Sequence, residues 1–369
     1  MRILVVNAGS SSLKLRFLGA DDALLGSTDL PALGTEPSDP ALLALEAAVR
    51  AFGGVDVVGH RIVHGGTEFT GPATIDSHVR AQIGALADLA PLHQPKSIAA
   101  LDAVSSILPT VTAVACFDTS FHATIPPAAS TYALPAEWRT RWPLRRFGFH
   151  GLSHAYAARR TAELLQRPQE GLRLVTCHLG AGASLAAVRG GRSQDTTMGF
   201  TPLEGLAMAT RSGTVDPGLI LWLVEHQGIA PAEISDGLEH RSGLLGLAGT
   251  ADMRAVVDRT ALADPAAELA LSVYLHRLRA GIAAMAAALG GIDALTFTGG
   301  VGEGSPLVRS AAAEGLGFLG IGLEAGRNRD TQPVDREIGR TGAAVRSFVI
   351  AAREDLEIAR QVRQVLETS

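Results

Sequence analysis

A chain of 369 residues exceeds what one compact core usually holds, which predicts two domains with a cleft between them. With 47% apolar and 19% charged residues there is ample core material, and the balance excludes a disordered chain. A net charge of -5 without any Lys/Arg run excludes a nucleic-acid surface or a polybasic membrane anchor, so an anionic ligand must meet local positive charge.

Residues 2 to 6 are a β-branched and leucine run, the small-residue turn from Asn7 to Ser12 follows, and a second strand-like run covers 13 to 18. This pattern predicts a hairpin with a polar tip. One basic residue precedes the first apolar run, which is not the form of a secretory signal. With Lys14, the tip offers backbone N–H groups, the hydroxyls of Ser10, Ser11 and Ser12, and an ammonium, which suits a phosphate cradle; a solvated serine turn is the bland alternative. It is no Walker loop, because the lysine follows the serines and a strand follows the turn. Caps and periodicity predict helices over 40 to 52, 78 to 89, 154 to 166, 217 to 226, 265 to 289 and 353 to 367. Strand-like runs at 55 to 63, 111 to 117 and 347 to 351 fall between them, and that alternation indicates an α/β fold.

Arg61 ends the run 55 to 63 just before Gly65 and Gly66, where its fork can take a carboxylate or phosphate. His60 and His64 stand four apart but lack a third ligand nearby and the glutamate of a zincin helix, so zinc is not expected. Asp118 follows the apolar run 111 to 117, at a strand end where open α/β sheets place their sites; a turn aspartate is the alternative. Cys116 and Cys177 lie in apolar runs and are expected as buried thiols without a disulfide. The stretch from Arg145 to His154 sets cations, aromatics and His150 before a helix, an arrangement that can stabilise added negative charge.

Around 172 the opening pattern recurs as a strand-like run, the glycine turn from His178 to Ala183 and a return run to 188, which reads as a degenerate duplication. The loop 209 to 214 adds Arg211. The run 264 to 291 is rich in alanine but interrupted by Glu268, His276, Arg277 and Arg279, which disfavours a membrane span and leaves a cytoplasmic protein as the expectation. A third glycine turn, Thr298 to Gly304, precedes Ser305 and Pro306, the N-cap and first-turn proline of a helix reaching about Gly315. Strand, glycine turn and helix in that order suit a phosphate. Glu354 reads as directly following the last strand.

The blocks VNAGSSSLK, HRIVHGG, LAPLH, CFDTSFH, FGFHGLSH, CHLGAGAS, MGFTPLEGLAMATRSG and FTGGVGEGSP closely resemble the acetate kinase family, in family order and across nearly the whole chain. The resemblance implies two duplicated actin-like ATPase (ribonuclease H-like) α/β domains, 1–121 plus 357–369 and 122–356, closing an interdomain cleft over ATP and Mg²⁺, with Mn²⁺ as a substitute. It places Asn7 and Glu354 near the metal. Lys14, Ser10, Ser12 and the loop His178, Leu179, Gly180, Ala181 and Gly182 fall on the phosphates. Asp252, Met253 and Arg254, with the turn Gly300, Val301, Gly302, Glu303 and Gly304, fall on the nucleoside. Arg61 would take the carboxylate in a small pocket of Val63, Leu92, Phe149 and Pro202, with Asp118 as the essential acid and His150 and Arg211 as transition-state stabilisers. A homodimer is also implied.

The expected reaction is reversible, direct in-line transfer from ATP to acetate, giving acetyl phosphate and ADP. Acetate is already an anion at pH 7, so a general base adds little. Repulsion is the obstacle, at roughly 4 kcal/mol for two unit charges 4 Å apart at an effective dielectric of 20. Asp118 is therefore expected to organise metal, water or arginine rather than to remove a proton. Propionate or another short acid is an alternative substrate, and a nucleotide-binding sensor of the same fold an alternative class. The family usually carries Asn where Ala181 and Gly304 stand, and also at Gln94 and Arg353; Thr214 replaces an aspartate. The nucleotide half is where this chain departs most.

Overall fold

The computed structural model describes residues 1–9, 12–89, 94–330, 332 and 334–368. Contacts group the chain into two units, one of residues 1–123, 149–156 and 353–369 and one of 124–148 and 157–352. This grouping takes residues 122–123, 149–156 and 353–356 into the first unit, outside the expected bounds of 1–121 and 357–369.

The first unit holds a six-stranded sheet of β1 (Ile3–Ala8), β2 (Ser12–Leu18), β3 (Leu24–Pro31), β4 (Val57–Ile62), β5 (Ala73–Thr74) and β6 (Thr112–Phe117). Its order is β3-β2-β1-β4-β6-β5, with β1, β4 and β6 parallel. The period of two in β1 sends Leu4 and Val6 to one face and Ile3 and Val5 to the other. Leu4 and Val6 pack with Leu45, Val49, Ala100 and Val104 of the helices Asp39–Phe52 and Gln94–Ile107. Ile3 and Val5 pack with Ile358, Ala359 and Val362 of the helix Glu354–Thr368. Both sheet faces are thus covered, as a parallel centre requires.

The second unit repeats the plan with β7 (Arg173–Leu179), β8 (Ala183–Arg189), β9 (Arg192–Thr196), β10 (Ala294–Thr298), β11 (Arg336–Glu337) and β12 (Arg346–Val349). Its order, β9-β8-β7-β10-β12-β11, matches the first sheet strand for strand, including the antiparallel hairpin at the start and the parallel trio β7, β10 and β12. The duplication read from the two glycine-tipped hairpins is a duplication of topology. Helix Pro265–Leu289 buries Ala267, Ala270, Leu271, Tyr274, Leu278, Ile282 and Met285 along one stripe, the spacing of a helix lying on a core. Among the described residues no helix is long and apolar enough to cross a membrane. Both cysteines are free and buried.

Three sequence expectations need correction. Residues 78 to 89 are not one helix: Ser77–Ala85 ends at Leu86 and a short 3-10 turn covers Ala87–Leu89. The segment expected to start after Ser153 starts at Gly151. Glu354 does not directly follow a strand, because residues 350 to 353 lie between the end of β12 and the helix it begins.

Candidate active site

In the first unit the candidate residues gather at the C-terminal ends of the parallel strands, where α/β sheets leave backbone groups facing a ligand. Asn7 lies near the end of β1, Arg61 near the end of β4, and Asp118 immediately after β6. Arg61 grips Asp118 through Nε (3.2 Å) and NH2 (2.6 Å), and its NH1 donates to Asn7 Oδ1 at 3.1 Å. Asn7 Nδ2 in turn donates to Glu354 Oε2 at 2.7 Å. One cation and two carboxylates are therefore joined through one amide. The Asp118 side chain is only 1% exposed and that of Arg61 13%. Burial raises the Asp118 carboxyl above its ordinary range, and the Arg61 guanidinium opposes this. Burial also works against Arg61, but Asp118 and Glu354 outweigh it and hold the guanidinium protonated. Three of its five N–H groups are engaged by described residues, leaving two for an incoming anion.

Main-chain groups complete the surroundings of Asp118. The N–H of His150 donates to its carboxylate, and Gly151 N–H donates to its carbonyl at 3.0 Å. A Cβ on Gly151 would stand 2.0 Å from that carbonyl oxygen, so only glycine fits there. His150 itself has φ of +55°, a left-handed conformation uncommon outside glycine and shared in this chain by Asp22, Gln166 and Ala263. Phe149 is 1% exposed, with its ring edge-on to His64 at 5.6 Å, and Val63 is 5% exposed. Gln94, fully buried, accepts from His64 N–H (3.2 Å) and donates to its carbonyl (3.0 Å), pinning the turn after Val63. Lys14 is exposed on β2 directly opposite Asn7, and Ser12 accepts Gly9 N–H at 2.8 Å to close the hairpin. Ser10 and Leu92 lie outside the described residues.

Buried histidines around this centre set its acid limit. Burial lowers His60, His64 and His122 from the usual imidazole value to about 4. Because the folded values lie below the unfolded one, their contribution is complete above pH 6.5 and lost as pH falls toward 4, at about 1.4 kcal/mol per pH unit for each ring. Urea unfolding at pH 7 and pH 5 should show a clearly lower midpoint at pH 5; equal midpoints would refute this assignment.

In the second unit the β7–β8 tip is closed by Gly180 N–H on Gly182 O at 2.9 Å, and the Ala181 carbonyl accepts from Ala209 N–H at 3.1 Å. The glycine turn after β10 is itself helical, Gly299–Gly304, so strand passes directly into helix rather than through an open loop. Gly299 must be glycine: φ is +78° and a Cβ would meet Leu179 O at 2.7 Å. Ser305 then caps the helix Pro306–Glu314 as expected, accepting from Val308 N–H at 3.3 Å. Gly180, Ala181, Asp252, Met253, Arg254, Gly300, Val301 and Gly304 line a cavity of about 550 Å³, within the range of small-molecule sites. His178, Leu179, Gly182, Gly302 and Glu303 are not among its lining residues. The sequence reading missed Leu244, Val257 and Tyr274, which are. Arg254 is exposed there, and its N–H caps onto Asp252 at 2.9 Å.

Arg211 is anchored by Glu239, with Nε 3.1 Å from Oε2, and its NH1 reaches the Pro202 carbonyl at 3.4 Å. Burial lowers its pKa while Glu239 counters that effect. Nothing local in sequence joins residues 211 and 239; the pairing is tertiary. Arg309, also unforeseen, is 0% exposed and has no carboxylate partner among the described residues. It donates to the carbonyls of Gly302 (2.8 Å), Glu303 (2.7 Å) and Asn328 (2.6 Å) and to Asn328 Oδ1 (2.8 Å), closing the C-terminal end of the glycine turn. Arg309→Met should lower stability by about 1–3 kcal/mol for each buried carbonyl left unsatisfied. Urea unfolding checks this, and an unchanged midpoint would count against the role.

The donor set near Arg61 fits a hard divalent cation. Asn7, Asp118 and Glu354 offer only oxygen ligands from side chains, and two carboxylates there face one guanidinium, which leaves negative charge to neutralise.

Residues 42–360 match the acetokinase family. A relative named acetate kinase from Leifsonia xyli subsp. xyli is 44% identical, covering 99% of this chain and 98% of that one. The crystal structure of Porphyromonas gingivalis acetate kinase superposes with a TM-score of 0.90 at 33% identity, covering 99% of both chains. A propionate kinase from Francisella tularensis subsp. tularensis gives 0.89 at 32%, covering 98% of both. The chain, with its two matching actin-like sheets, belongs to the acetokinase family.

Proposed function

We propose that the protein is an acetate kinase, transferring the γ-phosphoryl group of ATP reversibly to acetate in the presence of Mg²⁺, or of Mn²⁺ in its place. The observation that carries this reading is the chain of contacts from Glu354 through Asn7 and Arg61 to Asp118. Arg61 binds the substrate carboxylate through its two remaining N–H groups, with Val63 and Phe149 shaping the apolar part of its site. Asp118 fixes the guanidinium by a two-point grip and removes no proton, since acetate needs none removed. Asn7 and Glu354 hold the metal, which supplies positive charge toward the nucleotide's phosphate oxygens when bound. Lys14 and the tip 178–182 meet the phosphates, and the 550 Å³ cavity takes the nucleoside. His150 and Arg211 offset the charge on the phosphoryl group in flight. Direct transfer follows, because the arrangement positions and neutralises and needs no phosphoenzyme.

The solved acetate and propionate kinases superpose almost equally well, whereas curated relatives at 42–48% identity are named acetate kinases. One methylene in an apolar pocket is worth only about 1–3 kcal/mol. Acyl phosphate trapped as hydroxamate, measured over acetate, propionate and butyrate with ATP, GTP and diphosphate, tests the whole reading. Product with no pair would sink it and leave the nucleotide-binding sensor. We further infer a homodimer, for which the helix Pro217–Gln227 offers a surface: it has no buried residue and exposes Leu219, Leu221 and Trp222. A second copy of this chain is the expected occupant, and sedimentation showing a monomer at micromolar concentration would overturn it.

A further inference from the structure

The family pattern assigns the whole turn from Gly300 to Gly304 to the nucleotide, yet Glu303 does not line the cavity. Its Oε1 instead accepts two backbone N–H groups, from Gly299 and from Ala352, both at 3.0 Å. Those donors lie just past the ends of the adjacent parallel strands β10 and β12. Gly299 opens the glycine turn that borders the cavity, and Ala352 stands two residues before Glu354. The same segment is held once more by Asp335, whose Oδ1 accepts Ala351 N–H at 2.9 Å while Oδ2 takes Arg160 Nε at 2.6 Å. Two consecutive N–H groups are therefore each fixed by a carboxylate, but only Glu303 also reaches the glycine turn.

We propose that Glu303 is a positioning residue that ties the nucleotide turn to the segment carrying Glu354, so that nucleotide and metal affinity are set together; this rests on the proposed roles of that turn and of Glu354. The physical reason is register. A carboxylate oxygen shared by two N–H groups fixes their separation, and the backbone position at the first residue of the helix Glu354–Thr368 decides where the Glu354 side chain can reach. Removing the shared acceptor frees both ends at once.

The test uses the full chain and binding rather than turnover: Mn²⁺ affinity in the presence of ADP by paramagnetic resonance, and ADP affinity without metal by calorimetry. Glu303→Ala should weaken Mn²⁺ binding by about 10–100-fold, the usual cost of losing a residue that orients a metal ligand, and ADP binding severalfold. Glu303→Gln, whose amide oxygen can accept the same two N–H groups, should recover most of both. Glu303→Asp, one methylene short of reaching both donors, should behave as the alanine variant and replaces it if that variant does not fold. Asp335→Ala, which releases only the Ala351 side, should weaken Mn²⁺ and leave ADP unchanged. Parent-like Mn²⁺ affinity in Glu303→Ala overturns the proposal, as does Glu303→Gln as weak as alanine, or Asp335→Ala losing both affinities alike. If Glu354→Ala leaves Mn²⁺ affinity unchanged, the assignment of Glu354 falls, and the proposal with it.

Discussion

Arg61→Met is expected to lower kcat at least a thousandfold and to destabilise the fold, because it leaves the carboxylate of Asp118 buried without its cation. Breaking one side of a buried pair typically costs about 3–5 kcal/mol, most of it the penalty of the charge left behind. Asp118→Leu should be comparably destabilising and comparably inactive. The double variant separates the two effects: with both charges gone, stability should return while activity should not. Were activity to return with stability, Arg61 would be a structural residue only. Asp118→Asn extends the test, since a carboxylate that organises charge predicts severe loss partly relieved by high Mg²⁺. A basic limb in the pH–rate profile that disappears in the Asn variant would instead show proton removal by Asp118. Urea unfolding and hydroxamate assays on the same four proteins supply every number needed.

Arg211→Ala should cost about three powers of ten in kcat, the lower range for an arginine that meets a transferring phosphoryl group, with the carboxylate KM changed only severalfold. Glu239 holds this guanidinium through Nε, so the side chain is oriented before substrate arrives. Lysine should recover little, because an ammonium cannot be gripped at one edge while reaching with another. Glu239→Gln should give a smaller loss in kcat, since the amide still accepts a hydrogen bond without fixing the charge. A kcat within tenfold of the parent for Arg211→Ala would remove Arg211 from the proposed machinery.

What could be read in the amino-acid string was local. The hairpins were legible because a short apolar run, a small-residue turn and a return run repeat a short-range rule, and caps such as Asp264, whose carboxylate accepts from Ala266 and Ala267 N–H, announce themselves within four residues. The edge strand β3 was missed because LLGSTDLP is largely exposed, and Gly26, Ser27, Asp29 and Pro31 read as turn residues rather than strand. The helical form of residues 299 to 304 was missed because four glycines in six argue against any helix, and it persists because Arg309 and Glu303 hold its two ends. Asp118 was legible as a strand-end acid, but its partnership with Arg61 spans 57 residues and could be seen only once β4 and β6 were paired. Glu239, Arg309 and Gln94 act through tertiary hydrogen bonds, and no spacing in the chain encodes those.

The glycines of the turn after β10 divide into two kinds. At Gly299 a side chain has nowhere to go, whereas a Cβ at Gly300 or Gly304 would have no neighbour within 4 Å. The first is dictated by the backbone, and the others are vacancies. Together with the exposed Ala181, they make the 550 Å³ cavity the adjustable part of the second unit: side chains can be added there, an asparagine at 304 among them, without disturbing what holds the fold. Around Asp118 the reverse is true, for Gly151 is wedged against its carbonyl and Arg61 against its carboxylate. Substitution is therefore cheap where Gly300 and Gly304 leave open space and costly where Gly151 and Arg61 press on Asp118.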